Sequence, residues 1–175
     1  MIVGKSDLLR IIEKQRLVID PFESSSVRCN GVDLSISERI VRLENDNEIL
    51  DTHNNHIDRY YSTEQSPSFV IFPNEHMLAC THERIILPND IVGLVTLRST
   101  YTRLGLSAPC GMVEAGFNGQ LTLEIIGGSF PVRIYAGDRV FHIIFMELTG
   151  DHKATYRGKY QNQAGVTLPI LDSER

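Results

Sequence analysis

The chain has 175 residues, of which 42% are hydrophobic and 22% are charged, a composition typical of soluble globular proteins. This length predicts one domain, 1–175, with a sizeable core. The formal net charge of −5 argues against binding of a nucleic-acid polymer, although a single nucleotide needs only a few local cations. No apolar run approaches the ~20 residues that span a bilayer, so neither a membrane anchor nor a secretion signal is predicted.

The cysteines indicate the compartment. Cys29, Cys80 and Cys110 are odd in number and have no paired spacing. This pattern favours reduced thiols over a disulfide framework, so we predict a cytoplasmic protein.

The N-terminal third predicts one helix followed by strands. Ser6 is the candidate cap of a helix that runs to about Arg16. Four apolar side chains face inward in this helix: Leu8, Leu9, Ile11 and Ile12. After a turn at Asn30-Gly31, alternating apolar positions between 32 and 43 predict half-buried strands.

The segment 44–68 is rich in Asn, Asp, His, Ser and Thr. We interpret it as a surface excursion with one short strand. His53 and His56 have the spacing of metal ligands, but two solvated loop histidines are the favoured interpretation.

From residue 69 onward the pattern is that of a β protein. Apolar runs are separated by Pro, Gly, Asn and Asp, which predicts a sandwich or barrel. The predicted strands are 69–72, 77–87, 91–97, 120–126, 131–134 and 140–148. The polar, glycine-bearing segment 156–169 has few core-forming residues and is predicted to be an arm that docks on the rest.

Cations and hydroxyls are concentrated between 98 and 103. A guanidinium grips phosphate in a fork, so Arg98 and Arg103, with hydroxyls between them, suit an anionic and oxygen-rich ligand. The alternative is a pair of surface salt bridges. Their spacing predicts a helical turn and slightly favours a ligand.

Glu124 lies in a run that predicts a strand, on the same face as Thr122 and Ile126. A carboxylate on a buried strand suits acid–base chemistry. The alternative is a glutamate on the exposed face of an edge strand.

Zinc chemistry is not predicted. Zinc-dependent nucleobase deaminases use His-x-Glu and Pro-Cys-x-x-Cys. Here Thr81-His82-Glu83 lacks that spacing and Cys110 has no second cysteine three residues on. His76 and His82 could share a strand face but lack a third ligand. Neither a Walker loop nor GxGxxG is present.

Several motifs together resemble the dCTP deaminase branch of the dUTPase superfamily, in its archaeal type. They stand in family order over nearly the whole chain: MIVGKSDLLRIIEK at the start, 18–21, 30–34, RSTYTRLGL at 98–106, EAGFNG at 114–119, TLE at 122–124 and KYQNQAGVT at 159–167. The resemblance implies an all-β, distorted jelly-roll-like barrel with a short N-terminal helix. It also implies a homotrimer with its sites between subunits.

The implied activity is zinc-independent hydrolysis of dCTP to dUTP and ammonia, which supplies dUMP for thymidylate synthesis. Mg²⁺ would be carried by the triphosphate, with no metal site in the protein. Further ligands would be dUTP and dTTP. The alternatives are a bifunctional enzyme that forms dUMP and diphosphate, a plain dUTPase, and a catalytically silent, regulatory nucleotide-binding trimer.

The resemblance also implies residue roles. Glu124 is the base that activates water at C4 of cytosine, Ser99 orients that water, and Arg103 supports the developing charge. The arm, 156–175, would close over the nucleotide. The implied nucleotide-binding residues are Arg98, Ser99, Thr100, Tyr101, Thr102, Arg103, Glu114, Thr122, Leu123, Glu124, Tyr156, Lys159 and Gln163.

Two positions bear on the product. The family pattern has an aspartate where this chain has Glu114, which favours sugar binding without phosphate hydrolysis. Gly111 stands where dUMP-forming members tend to have glycine, which favours the opposite outcome. The sequence leaves the two products, dUTP and dUMP, open.

Overall fold

The computed structural model describes residues 1–44, 48–53, 57–150 and 154–171. In these ranges the chain forms two α-helices, ten β-strands and short 3₁₀ turns at Ser24–Ser26 and Asp58–Tyr60. The helices are α1 (Lys5–Glu13) and α2 (Ser99–Arg103). The strands are β1 (Val18–Asp20), β2 (Val32–Leu43), β3 (Tyr61–Gln65), β4 (Ser68–Ile71), β5 (His76–Ile86), β6 (Ile91–Leu97), β7 (Gly111–Val113), β8 (Asn118–Ile126), β9 (Val132–Tyr135) and β10 (Arg139–Glu147).

An eight-stranded antiparallel sheet forms most of the structure, with the order β1-β5-β2-β10-β6-β7. Two further strands join this path, β3 beside β2 and β8 beside β5, while β4 and β9 form a separate pair. The long strand β2 pairs with β10 near its start and with β3 and β5 near its end. Because one strand belongs to two layers, the sheet curls, and the predicted all-β, barrel-like architecture is confirmed.

The core lies inside the curl. In β6, alternate residues from Ile91 to Leu97 are buried, as the period of two along a strand requires. Helix α1 closes one side through Leu8 and Ile11, which are buried. The largest fully buried side chains include Phe69, Phe141 and Phe145.

The predicted start of α1 is wrong. The N-cap is Gly4, without a side-chain cap, and Ser6 lies inside the first turn. The helix ends at Glu13 rather than near Arg16. Backbone hydrogen bonds from Val3 to Phe145 and from Lys5 to Cys29 fix the entry of the chain, so tertiary contacts override the local capping preference.

The described part of the excursion 44–68 contains one short strand before β4 begins, as predicted: β3 pairs with the end of β2. His53 is exposed, and His56 lies outside the described residues. Two three-residue strands were not predicted, β1 and β7. Each is too short to show an alternation and is held in place by a long neighbour, β5 or β6.

Glu83 is a buried carboxylate on β5. It is 8% exposed, and both of its carboxylate oxygens accept from the Ser35 backbone N–H, at 3.1 and 2.9 Å. Burial raises the pKa of Glu83 because the ionised form loses its hydration. The folded protein therefore binds this proton more tightly than the unfolded chain does.

This carboxylate predicts a pH dependence of stability. With the folded pKa raised, the stabilisation is present below the ordinary glutamate range and is lost as pH rises through the folded pKa. We expect the unfolding free energy of wild type, minus that of Glu83→Gln, to fall with rising pH by about 1.4 kcal/mol for each unit of raised pKa. Urea denaturation across this range measures the difference, with Glu13→Gln, an exposed residue of α1, as the control. A difference that rises with pH contradicts the prediction.

Candidate nucleotide site

A cavity of about 450 Å³ opens between β5, β6, β7, β8 and the C-terminal segment. This size falls within the range of small-molecule sites, and the mostly apolar lining with a few polar groups is typical of them. The residues that line it are Leu78, Val95, Gly111, Met112, Val113, Glu114, Phe117, Leu121, Thr122, Leu123, Tyr156, Tyr160, Gln163, Thr167 and Pro169.

Glu114 reaches the cavity because a tight turn follows β7. The Phe117 N–H donates to the Glu114 carbonyl at 3.1 Å, and Gly116 adopts a φ of +81°. A Cβ at position 116 would lie 1.8 Å from Thr155 Oγ1. Glycine is therefore required here both for the turn and for the close approach of the C-terminal segment.

Residues 154–171, which comprise the described part of the arm (156–175) and the two residues before it, lie along β8. The Gln120 N–H donates to the Gln163 carbonyl at 3.0 Å, and the side chain of Gln163 donates back to the Gln120 carbonyl at 2.6 Å. Further along, the Thr167 N–H donates to Thr122 Oγ1 at 3.0 Å. These bonds bring arm residues into the cavity wall and engage the Gln163 amide with β8.

Two aromatic residues anchor the start of the arm. The ring of Tyr156 lies 6.0 Å from that of Phe117, centroid to centroid, and is tilted by 47°.

Lys159 lies outside the cavity lining: its ammonium donates to the Ile170 carbonyl and sits 5.9 Å from the centroid of the Tyr160 ring. The predicted cation of the arm is thus held within the arm.

Glu124 lies just past the cavity on β8, after the lining residues Thr122 and Leu123. Its side chain is 29% exposed, so it is half-buried rather than enclosed. Glu124 Oε1 is 2.7 Å from Nδ1 of His76 on the neighbouring strand β5. Sequence reasoning considered His76 only as a metal ligand and missed this contact.

Arg98, at the start of α2, binds a buried carboxylate. Asp33 is 2% exposed, and its Oδ2 is 3.1 Å from Arg98 Nε and 2.6 Å from Arg28 Nε. The other oxygen, Oδ1, is 2.8 Å from His142 Nδ1. Arg98 Nη1 also donates to the Arg139 carbonyl at 2.9 Å. This Asp33 cluster (Asp33, Arg28, Arg98 and His142) fixes where β6 ends and α2 begins.

The other residues of α2 stand outside the cavity of their own chain. Ser99, Thr100, Thr102 and Arg103 are exposed. Tyr101 packs against the core, and burial, together with the nearby Asp138 carboxylate, raises the pKa of its phenol. Among the described residues that line the cavity, none is lysine or arginine.

The structure therefore brings together one part of the predicted site. Five predicted residues line the cavity: Glu114, Thr122, Leu123, Tyr156 and Gln163. Glu124 adjoins it, whereas Lys159 and residues 98–103 do not line it. In the parts of the chain that the structure describes, no three His, Cys, Asp or Glu side chains are grouped so that they could hold a metal ion. No described helix is long and apolar enough to cross a membrane.

The fold and this site define a class of protein: a curled antiparallel β-barrel with a ligand-sized cavity beneath its C-terminal arm. A family model described as dCTP deaminase-like matches residues 2–148. The chain belongs to this dCTP deaminase-like family.

Three comparisons show the range of its relatives. The chain is 44% identical to a dCTP deaminase of Acidianus ambivalens over 97% of both chains. It is 42% identical to a probable deoxyuridine 5′-triphosphate nucleotidohydrolase of Sulfolobus islandicus rod-shaped virus 1, over 98% of this chain and 100% of that one. The crystal structure of the dCTP deaminase of Agrobacterium tumefaciens shares the fold, with a TM-score of 0.66 and 20% identity, and covers 82% of this chain and 46% of that chain.

Proposed function

We propose that this protein is a dCTP deaminase, which hydrolyses dCTP to dUTP and ammonia without zinc. One observation carries the proposal: β8 places Thr122 and Leu123 in the cavity wall and Glu124 immediately beyond them. A cytosine ring that enters this cavity would lie next to the half-buried carboxylate of Glu124. The relatives at about 40% identity over nearly the full chain support the same activity.

In this reaction Glu124 accepts a proton from water as the water oxygen bonds to C4 of cytosine. The carboxyl group gives this proton to N3 of the ring. It then takes the proton of the new hydroxyl at C4 and gives it to the amine, the C4–N bond breaks, and ammonia leaves. The carboxylate thus serves as base and acid in turn. Ser99 orients the water and Arg103 supports the charge that develops on the attacked ring.

A homotrimer would supply the cations that the cavity of a single chain lacks. The cavity needs cations for a triphosphate, yet its described lining contains neither lysine nor arginine. The hydroxyls of α2 and the Arg103 guanidinium are exposed on the same chain. We propose that α2 of a neighbouring copy completes each cavity. Arg98 contributes by holding α2, because its Nε and Nη1 are engaged within the chain.

The cavity residues would contact different parts of the nucleotide. Glu114 accepts from the deoxyribose 3′-hydroxyl, and Thr122 and Leu123 contact the base through β8. Tyr156 and Gln163 close the arm, 156–175, over the nucleotide. Lys159, Thr100, Tyr101 and Thr102 remain proposed ligands of the phosphates.

The substrate is the magnesium complex of dCTP. Glu114 is the one carboxylate among the described lining residues. A single carboxylate is no cage for Mg²⁺, which prefers six oxygen ligands and retains several waters. The triphosphate oxygens and water therefore hold the ion.

Cytoplasmic location is also proposed, since all three cysteines are free thiols.

Incubation with dCTP and Mg²⁺, followed by chromatography of the nucleotides, tests the proposal. We expect dUTP and ammonia to accumulate, added dUTP to stay intact, and a zinc-selective chelator to have no effect. Release of dUMP and diphosphate from dCTP would indicate a bifunctional enzyme. Hydrolysis of dUTP with dCTP left untouched would indicate the activity named for the viral relative. No turnover of either nucleotide would indicate a catalytically silent protein that only binds nucleotides.

Deletion of 156–175 should weaken dCTP binding and leave the fold intact. The arm supplies one wall of the cavity, and none of its residues up to Leu171 belongs to the fully buried core. We expect the KM for dCTP to rise about 10-fold or more, equivalent to ~1.4 kcal/mol of lost binding. Steady-state kinetics and thermal melting measure both effects.

The matched control is truncation after Leu171, which keeps the described arm and should behave as wild type. If removal of 156–175 abolishes the cooperative melt, the arm is part of the folding unit and the proposed role is wrong.

A further inference from the structure

We infer that His76 is a positioning residue for Glu124: it holds the carboxylate in the orientation from which it takes the proton of the attacking water. The inference rests on the proposed role of Glu124 as the base. Its observation is the 2.7 Å contact between His76 Nδ1 and Glu124 Oε1. These two residues lie 48 positions apart in the sequence and meet only because β5 pairs with β8.

The strand register makes this contact specific. Leu78 pairs with Glu124, and His76 pairs with Ile126, so His76 and Glu124 are diagonal neighbours on one face. Long side chains reach across such a diagonal. Leu78 itself lines the cavity beside Leu123. His76 therefore contacts Glu124 from β5, two residues before Leu78, and is not itself part of the cavity lining.

The contact gives the two oxygens of the Glu124 carboxylate different roles. A histidine with a proton on Nδ1 donates to Oε1, whether the ring is neutral or charged. Oε2 then remains for the water. A glutamate on a strand has three rotatable bonds, and fixing one oxygen selects among the rotamers that would otherwise be sampled.

Stability does not account for this pair. The side chains of His76 and Glu124 are 46% and 29% exposed, and ion pairs with that much solvent contact contribute little to folding. The other His–carboxylate contact among the described residues differs in this respect, because its carboxylate, Asp33, is buried. The His76 contact is the one whose effect should appear in turnover and not in melting.

The test compares His76→Leu, which removes the donor, with His76→Asn, whose amide N–H can replace Nδ1–H. For His76→Leu we expect kcat for dCTP to fall by about 10- to 10²-fold, because displacement of a reacting group by ~1 Å costs up to about 10²-fold. KM and the melting temperature should stay near wild type. His76→Asn should recover most of kcat. The control is His82→Leu, an exposed histidine on the same strand, which should keep wild-type kcat.

A double variant separates positioning from direct action on the substrate. If His76 acts through Glu124, adding His76→Leu to Glu124→Gln should cause no further loss of kcat. A further loss equal to that of His76→Leu alone overturns the inference, as does a His76→Leu enzyme with wild-type kcat. These results leave the proposed function standing if wild type converts dCTP to dUTP. Wild type that fails to deaminate dCTP overturns both.

Discussion

Replacing Glu124 by glutamine should lower kcat for dCTP by about 10²–10⁴-fold, the range for loss of one acid–base group. The amide keeps the size of the side chain and can still accept through Oε1 from His76, whose Nδ1 is 2.7 Å away in the wild type. It cannot accept a proton from water at neutral pH. Binding of dCTP should change little, because Glu124 lies beyond the cavity lining.

Single-turnover release of ammonia and calorimetric binding of dCTP measure the two quantities separately. Glu147→Gln, which alters an exposed glutamate at the end of β10, is the control for charge and should match wild type. Turnover by Glu124→Gln within a few-fold of wild type would show that another group is the base.

Replacing Asp33 by asparagine is expected to cost about 3 kcal/mol of unfolding free energy, at the low end for breaking a buried ion pair. The low end applies because the two arginines that contact Asp33 keep solvent contact, with side chains 45% and 31% exposed. Activity should fall as well. The Asp33 cluster sets the start of α2, and a shift there moves Ser99 and Arg103 together.

Arg28→Gln is the matched comparison. It removes one partner of Asp33 while Arg98 and His142 remain in contact with the carboxylate, so we expect a loss of only about 1 kcal/mol. Urea denaturation, with the slope checked for equality among the variants, gives both values. Equal losses for Asp33→Asn and Arg28→Gln would contradict the central role of the buried carboxylate.

Period-two patterns predicted the long strands well. The predicted strand 91–97 coincides with β6, because alternate side chains there face core and solvent along the whole strand. The short strands β1 and β7 escaped prediction, since three residues carry too little pattern and their positions are set by pairing. The same holds for the start of α1, where backbone bonds from distant strands override Ser6 as a cap.

The arrangement of the candidate site was predictable where it is local in sequence. Thr122, Leu123 and Glu124 follow one another on β8, so their proximity follows from the sequence alone. Contacts between residues far apart were not predictable, because they depend on which strands pair. Glu124 meets His76 across 48 positions, and Asp33 meets His142 across 109. The contact of Arg98 with Asp33 is also of this second kind.

The arm along β8 has a consequence for solution behaviour. Backbone bonds from Gln120 to Gln163 and from Asn162 to Asn118 occupy one edge of that strand. An uncovered strand edge is a template for pairing with another chain. If the arm closes over the nucleotide as proposed, its opening for exchange would expose that edge to neighbouring molecules. Bound nucleotide that holds the arm down should therefore slow aggregation during storage, even at temperatures far below the melting transition.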